Sequence, residues 1–277
     1  MLLAALLGLT LALEVSASPT SSPTTPPVQE SWAAFLRDTG QRPATIVVNL
    51  GFAALAPDKA NPMLLEVKVR IPRPNEHGFP SRADSEAFEP VEDEIISRIE
   101  RDAHAHHVGR LTTDGEWHVF FYAPSATGFE QAVGNLRARF DAYAIHGASQ
   151  DDAQWQTYLG TLHPSPAEFQ SILNARVIAH LQESGDKLTK PRRIDHWLYF
   201  PTDDSRARFL ARLDAKRFKV EDQSKLDDPK GPNAFRLQLS HVGTPDAASI
   251  DPITVQLSDQ AREAGGEYDG WETSIER

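Results

Sequence analysis

GGEYDGWETSI, residues 265–275, lies two residues from the end of the 277-residue chain, and its reading decides the fold of everything before it. Two consecutive glycines admit the chain to a run that alternates as a last β-strand over 267–275. Strict alternation puts Tyr268, Gly270 and Glu272 on one side and Asp269, Trp271, Thr273 and Ile275 on the other. A glycine inside a strand marks a bulge or a close backbone approach, so Gly270 is expected to re-aim Trp271.

Working backwards, 250–264 carries a helical pattern with Asp251 and Pro252 at its start. The stretch 235–242, FRLQLSHV, alternates cleanly, and 218–223 is a second strand across the polar loop 227–233. Thr202 caps a helix reaching about residue 216, and IDHWLYF at 194–200 is another strand. The order β-α-β-β-α-β is the split-βαβ, ferredoxin-like arrangement. Ahead of it lies a helix over 166–184, with Phe169, Ile172, Leu173, Val177, Ile178 and Leu181 along one side. Ser165, Pro166 and Glu168 form a capping box with proline at the first turn, and Gly185 ends the helix. KLTKPRR, 187–193, is a basic connector.

The first folded region begins near Trp32. Strands are expected at 44–50 and at 63–71, where Leu65, Val67, Val69 and Ile71 alternate with Glu66, Lys68 and Arg70. Val91, Ile95, Ile96 and Ile99 predict a helix over 85–102. A hairpin joins 107–112 to 117–123 through Asp114-Gly115. A second helix over 129–140 and a strand over 142–147 complete the order β-β-α-β-β-α-β. The fold class is therefore α+β, with two small α/β-sandwich-like domains, the C-terminal one βαββαβ and ferredoxin-like. The expected partition is a signal peptide at 1–17, a Pro/Ser/Thr-rich linker at 18–30, domains at 31–164 and 194–277, and a linker helix with connector at 165–193.

A charged fraction of 24% beside 40% apolar residues is that of a folded globular protein, and the net charge of −11 disfavours binding to a bare phosphate backbone. The absence of cysteine excludes disulfides, thiolate metal sites and cysteine nucleophiles. Leu2 to Leu13 is an uncharged apolar run interrupted only by Thr10, short for a bilayer span, and Val15-Ser16-Ala17 offers a small-residue cleavage pattern. Export to the periplasm or medium is the expectation, with no stable membrane insertion after cleavage. A mis-assigned start codon would instead leave the chain in the cytoplasm.

With helices on the apolar side, the open face of the C-terminal sheet is expected to show Trp197, Tyr199, Arg236 and Gln238 beside Tyr268, Asp269 and Trp271 of the last strand. That set is a candidate platform for a protein partner. The competing reading packs the aromatics under the inter-domain helix. The order of elements together with Glu267, Tyr268, Asp269, Gly270, Trp271 and Thr273, and with Asp195-His196-Trp197, resembles the RraB-type ribonuclease E inhibitor family. This resemblance implies an acidic α+β protein that regulates RNA decay by protein–protein contact, with a ribonuclease E-like partner if the chain stays in the cytoplasm. The first domain resembles the family called domain of unknown function 695, through Glu92-Asp93, Gly109-Arg110-Leu111-Thr112 and the pattern Trp155, Tyr158, Pro164.

No chemical motif competes with this reading. His104 and His106 share a strand face, but no third ligand has metal-site spacing, so a helix cap or polar strand entry is the expected role. Glu92, Asp93 and Glu94 point in different directions on a helix and suit its first turn electrostatically. Ser240 and His241 face opposite sides of their strand, and no nucleophile elbow, phosphate loop or zinc-protease motif is present. The expectation is a non-enzyme without metal or cofactor, with an enzyme of unrecognised chemistry as the alternative. Direct nucleic-acid binding is also not expected, because Asp195, Glu267 and Asp269 stand where an RNA-binding sheet needs cations.

Overall fold

A computed structural model of the chain describes residues 29–277 apart from 39–42, 228 and 230. The expected signal peptide and most of the 18–30 linker lie outside the described residues. The first sheet contains β1 (Trp32–Asp38), β2 (Pro43–Asn49), β3 (Met63–Arg70), β4 (His106–Thr113), β5 (Glu116–Ala123) and β6 (Ile145–Asp151). Its order is β1-β2-β4-β5-β3-β6, antiparallel throughout. Helices α1 (Arg82–Ala103) and α2 (Phe129–Arg139) cover one face, where Val67, Val69, Trp117 and Val119 meet Phe88, Ile95, Ile99 and Leu136. The opposite face buries Ile46, Val48, Leu64 and Tyr122 under Trp155, Tyr158 and Leu162.

Several boundaries differ from the sequence reading. β1 is an additional strand, paired in register with β2 from Trp32↔Asn49 to Asp38↔Pro43. α1 begins at Arg82, because the Ser81 side chain caps it by accepting from the Asp84 amide. Glu92 to Glu94 are therefore mid-helix and not in a first turn. Glu92 pairs with Arg110 across to β4, and burial raises its carboxyl above the ordinary range. His104 is the left-handed C-cap of α1, and His106 opens β4. A π-helical turn at Thr157–Leu162 comes after Asp152, whose carboxylate accepts from Tyr122 and from the amides of Gln156 and Thr157.

The second sheet holds β7 (Arg192–Phe200), β8 (Lys219–Lys225), β9 (Phe235–Gly243) and β10 (Glu267–Thr273) in the order β10-β7-β9-β8. Helices α4 (Asp203–Leu210) and α5 (Ala247–Glu263) share one face, over Leu198, Phe200, Leu237 and Leu239. The architecture is α+β, and the C-terminal unit is the expected βαββαβ. α4 stops at Leu210, six residues short of the expected end, and α5 starts at Ala247 because Asp246 caps it through the Ser249 amide. β7 takes in Arg192 and Arg193, so the basic connector is shorter than the composition of 187–193 implies.

Between the sheets runs α3 (Pro166–Glu183), started by the expected capping box of Ser165 and Glu168. Its first half faces the first sheet: Ile172 joins that core, and Glu168 takes a two-pronged ion pair from Arg37 of β1 at 2.7 and 2.9 Å. Its second half, with Ile178 and Leu181, packs with Ile194, Ile250 and Trp271 of the C-terminal unit. Among the described residues no helix is long and apolar enough to cross a membrane.

Candidate functional site

The two faces of the second sheet differ because β7 alternates without interruption. Arg192, Ile194, His196, Leu198 and Phe200 are buried, whereas Arg193, Asp195, Trp197 and Tyr199 alternate with them and point away from the helices. Antiparallel register carries this division to β9, where Trp197 stands opposite Gln238 and Tyr199 opposite Arg236. Trp197, Tyr199, Arg236 and Gln238 therefore share the open face, as the sequence suggests, and all four are half-buried.

The last strand departs from the alternation read at 265–275. A bulge at Asp269 falls between the pairs Tyr268↔Leu198 and Gly270↔Trp197. One inserted residue reverses the phase, so Tyr268 and Trp271 both face the helices. This corrects the expectation that Tyr268 and Trp271 belong to the platform. Trp271 is only 6% exposed and donates its indole N–H to Oδ1 of Asn174 on α3 at 2.9 Å. Asn174 in turn donates to Asp251 and Thr254 of α5 and accepts from Gln170. The reading that packs an aromatic under the inter-domain helix holds for Trp271. Asp269 remains exposed, and Gly270 has φ +146° and open space where a Cβ would be.

Beneath the sheet Tyr268 Oη lies 2.7 Å from Nδ1 of His196, and Nε2 of His196 lies 2.9 Å from Nδ1 of His241. Burial, with His241 and Arg217 adding to it, lowers His196 to about 3, and burial with Arg217 lowers His241 to about 4. Burial, helped by Asp269, holds the Tyr268 hydroxyl protonated. Both imidazoles are thus neutral near pH 7, and the trio is a packed polar seam below the open face.

On the open face the charges divide unevenly. The β7/β9/β8 side is internally matched: Arg193 pairs with Asp195 at 2.7 Å and approaches Glu221 at 3.6 Å, and Arg236 pairs with Asp222 at 3.0 Å. Lys219 pairs with Glu221, Ser240 donates to Glu221, and Gln238 donates to Asp195. These contacts hold Glu221 low, chiefly through Ser240 and then Lys219, and Asp222 low, through Ser224 and then Arg236. Glu267 stands in register with Tyr199, and Glu272 with Asp195. Both are exposed, and among the described residues no cation pairs with Glu267, Asp269 or Glu272. A cleft of about 690 Å³ opens between Tyr199, Glu267 and Asp269 on one side and Leu226, Pro232 and Asn233 on the other. The same-strand pairs Arg193–Asp195 and Lys219–Glu221, two residues apart, were readable in the sequence, but the cross-strand match of Arg236 with Asp222 depends on register.

Residues 171–273 match the family model described as "Regulator of ribonuclease activity B", and residues 30–163 match a "Family of unknown function". Both agree with the resemblances carried by the EYDGW run and by the first domain. The first is described as a regulator, and the second has no assigned function. No curated protein matches the chain. A solved structure titled "Crystal Structure of an Unknown Protein from Galdieria sulphuraria" is 12% identical, over 78% of this chain and 99% of that one, with a TM-score of 0.23.

Proposed function

Because residues 171–273 match the regulators of ribonuclease activity, we propose that this protein is a non-catalytic regulator that works by protein–protein contact, with a ribonuclease of the E type as its target. The observation that carries the reading is the open face of the second sheet. Trp197 and Tyr199 are held there on a central strand, with no helix packed over them among the described residues. Partly exposed aromatics on a rigid sheet suit a docking surface, since they offer large contact area at small entropic cost. The hydroxyls beside them, Ser240 on Glu221 and Ser224 on Asp222, sit in matched ion-pair clusters with Lys219, Arg193 and Arg236, an arrangement that favours contact over turnover.

The test is an RNA-cleavage assay with purified ribonuclease E. Added protein should slow cleavage and co-elute with the nuclease, and Trp197→Ala should abolish both effects. Absence of inhibition and of a complex would refute the target. The apolar run from Leu2 to Leu13 supports a second reading, in which the chain is exported and meets a different protein partner. Fractionation with intact mass separates the two: a mature chain starting at Ser18 outside the cytoplasm favours the second, and a cytoplasmic chain favours the first.

A further inference from the structure

We propose that the open face docks a basic, extended segment of the partner, with Lys or Arg side chains lying over Trp197 and Tyr199 and against Glu267, Asp269 and Glu272. This deepens the protein-contact reading of the same face and rests on it. Three observations select a basic segment. The first is the charge division: the cations of the face, Arg193, Lys219 and Arg236, are matched by Asp195, Glu221 and Asp222, whereas the β10 carboxylates are unmatched among the described residues. A partner segment that supplies positive charge completes the surface, and an acidic segment or a nucleic acid is repelled by it.

The second observation is the position of the carboxylates relative to the aromatics. Register puts Glu267 beside Tyr199 and Gly270 beside Trp197, with the bulged Asp269 between them. Each aromatic thus has an acid at its flank, the geometry in which a cation gains from the ring face and the carboxylate together. Gly270, paired with Trp197, contributes no side chain to the face, and the space where its Cβ would lie is open. The third is the cleft at Tyr199, whose Glu267 and Asp269 wall continues the carboxylate row to the end of the strand. That row is laid out to track an extended chain along β10.

The experiment titrates a fluorescein-labelled dodecapeptide of alternating Gly and Arg into the full-length protein at physiological salt, read by anisotropy. A copy with citrulline in place of arginine is the neutral control. Because the whole chain is acidic, two triple variants with the same charge change are compared. One is Glu267→Gln, Asp269→Asn, Glu272→Gln. The other, distant from the face, is Glu76→Gln, Asp93→Asn, Asp141→Asn, all exposed positions. The expected result is about a tenfold rise in Kd for the first triple and for Trp197→Ala, about twofold or less for the second, and no binding of the citrulline peptide. Equal losses in both triples, undiminished binding by the first, or citrulline binding as tight as arginine would each overturn the inference. The cleavage assay separates it from the parent reading. If Trp197→Ala abolishes inhibition while the first triple does not, the face remains the docking site and the basic partner is wrong. If neither variant matters, both readings fall.

Discussion

The indole nitrogen of Trp271 and the side-chain carbonyl of Asn174 lie 2.9 Å apart in a site closed to water, joining the last strand to the helix between the two sheets. Asn174 uses both N–H groups and accepts twice, so its hydrogen-bonding capacity is filled. Asn174→Ala leaves the Trp271 N–H without an acceptor and Asp251 and Thr254 without a donor. The expected cost is about 2–3 kcal/mol, read as a lower urea midpoint with an unchanged slope.

Trp197 and Trp271 are separated by one register step but belong to opposite faces, so their alanine variants should behave differently. Trp271→Ala opens a cavity and should lose about 3–5 kcal/mol of stability. Trp197→Ala should lose about 1 kcal/mol or less while abolishing partner binding. Equal destabilisation in thermal melts would show that Trp197 is a packing residue.

The buried imidazoles make stability depend on pH with a definite sign. His196 and His241 titrate at about 3 and about 4 in the fold, below their ordinary value of 6.5, so the unfolded chain binds more protons between those limits. Their contribution is complete above about pH 6.5 and is lost as the pH falls through the folded values. His107, lowered to about 4 by burial, adds a term of the same sign. Urea unfolding measured from pH 7 to pH 4.5 should show stability falling towards acid, and more shallowly in His241→Phe.

Gly266 has no room for a side chain: an added Cβ would lie 2.3 Å from the Phe200 ring and 2.7 Å from the Tyr199 carbonyl. Gly266→Ala should therefore cost about 1–3 kcal/mol by overpacking. Gly134, on α2 with nothing within 4 Å, should accept alanine with a small gain from helix propensity. Melting both variants side by side checks the contrast.

Where local chemistry decides, the sequence was legible. The alternation of Leu65, Val67 and Val69 marks β3, Asp114-Gly115 turns the β4–β5 hairpin with φ of +54° and +79°, and Ser165 with Glu168 starts α3. The order of the C-terminal elements and the bulge near Gly270 came from the same local rules. Misplaced features depend on distant partners. β1 is an edge strand whose Ala33 is buried while Trp32 and Leu36 remain exposed, so its apolar residues fall on both faces and no period-2 alternation marks it. The ion pair of Glu92 with Arg110 joins residues eighteen apart that only helix-on-sheet packing brings together. Trp155 adopts φ +53° inside a closed aromatic cluster, a conformation no propensity assigns to tryptophan. In the candidate site, the β7 and β9 residues could be read from alternation. Tyr268 and Trp271 could not, because a single inserted residue inverts the phase of the strand on its far side.

α3 has a further consequence for how the molecule comes apart. Its leading turns complete one core through Ile172 and its trailing turns complete the other through Ile178 and Leu181. Any cut of the chain near residue 165 therefore strips a wall from one half and leaves the other with an uncovered apolar ridge. A force or a protease that frees one half loosens the other, so the two sheets should melt in one transition.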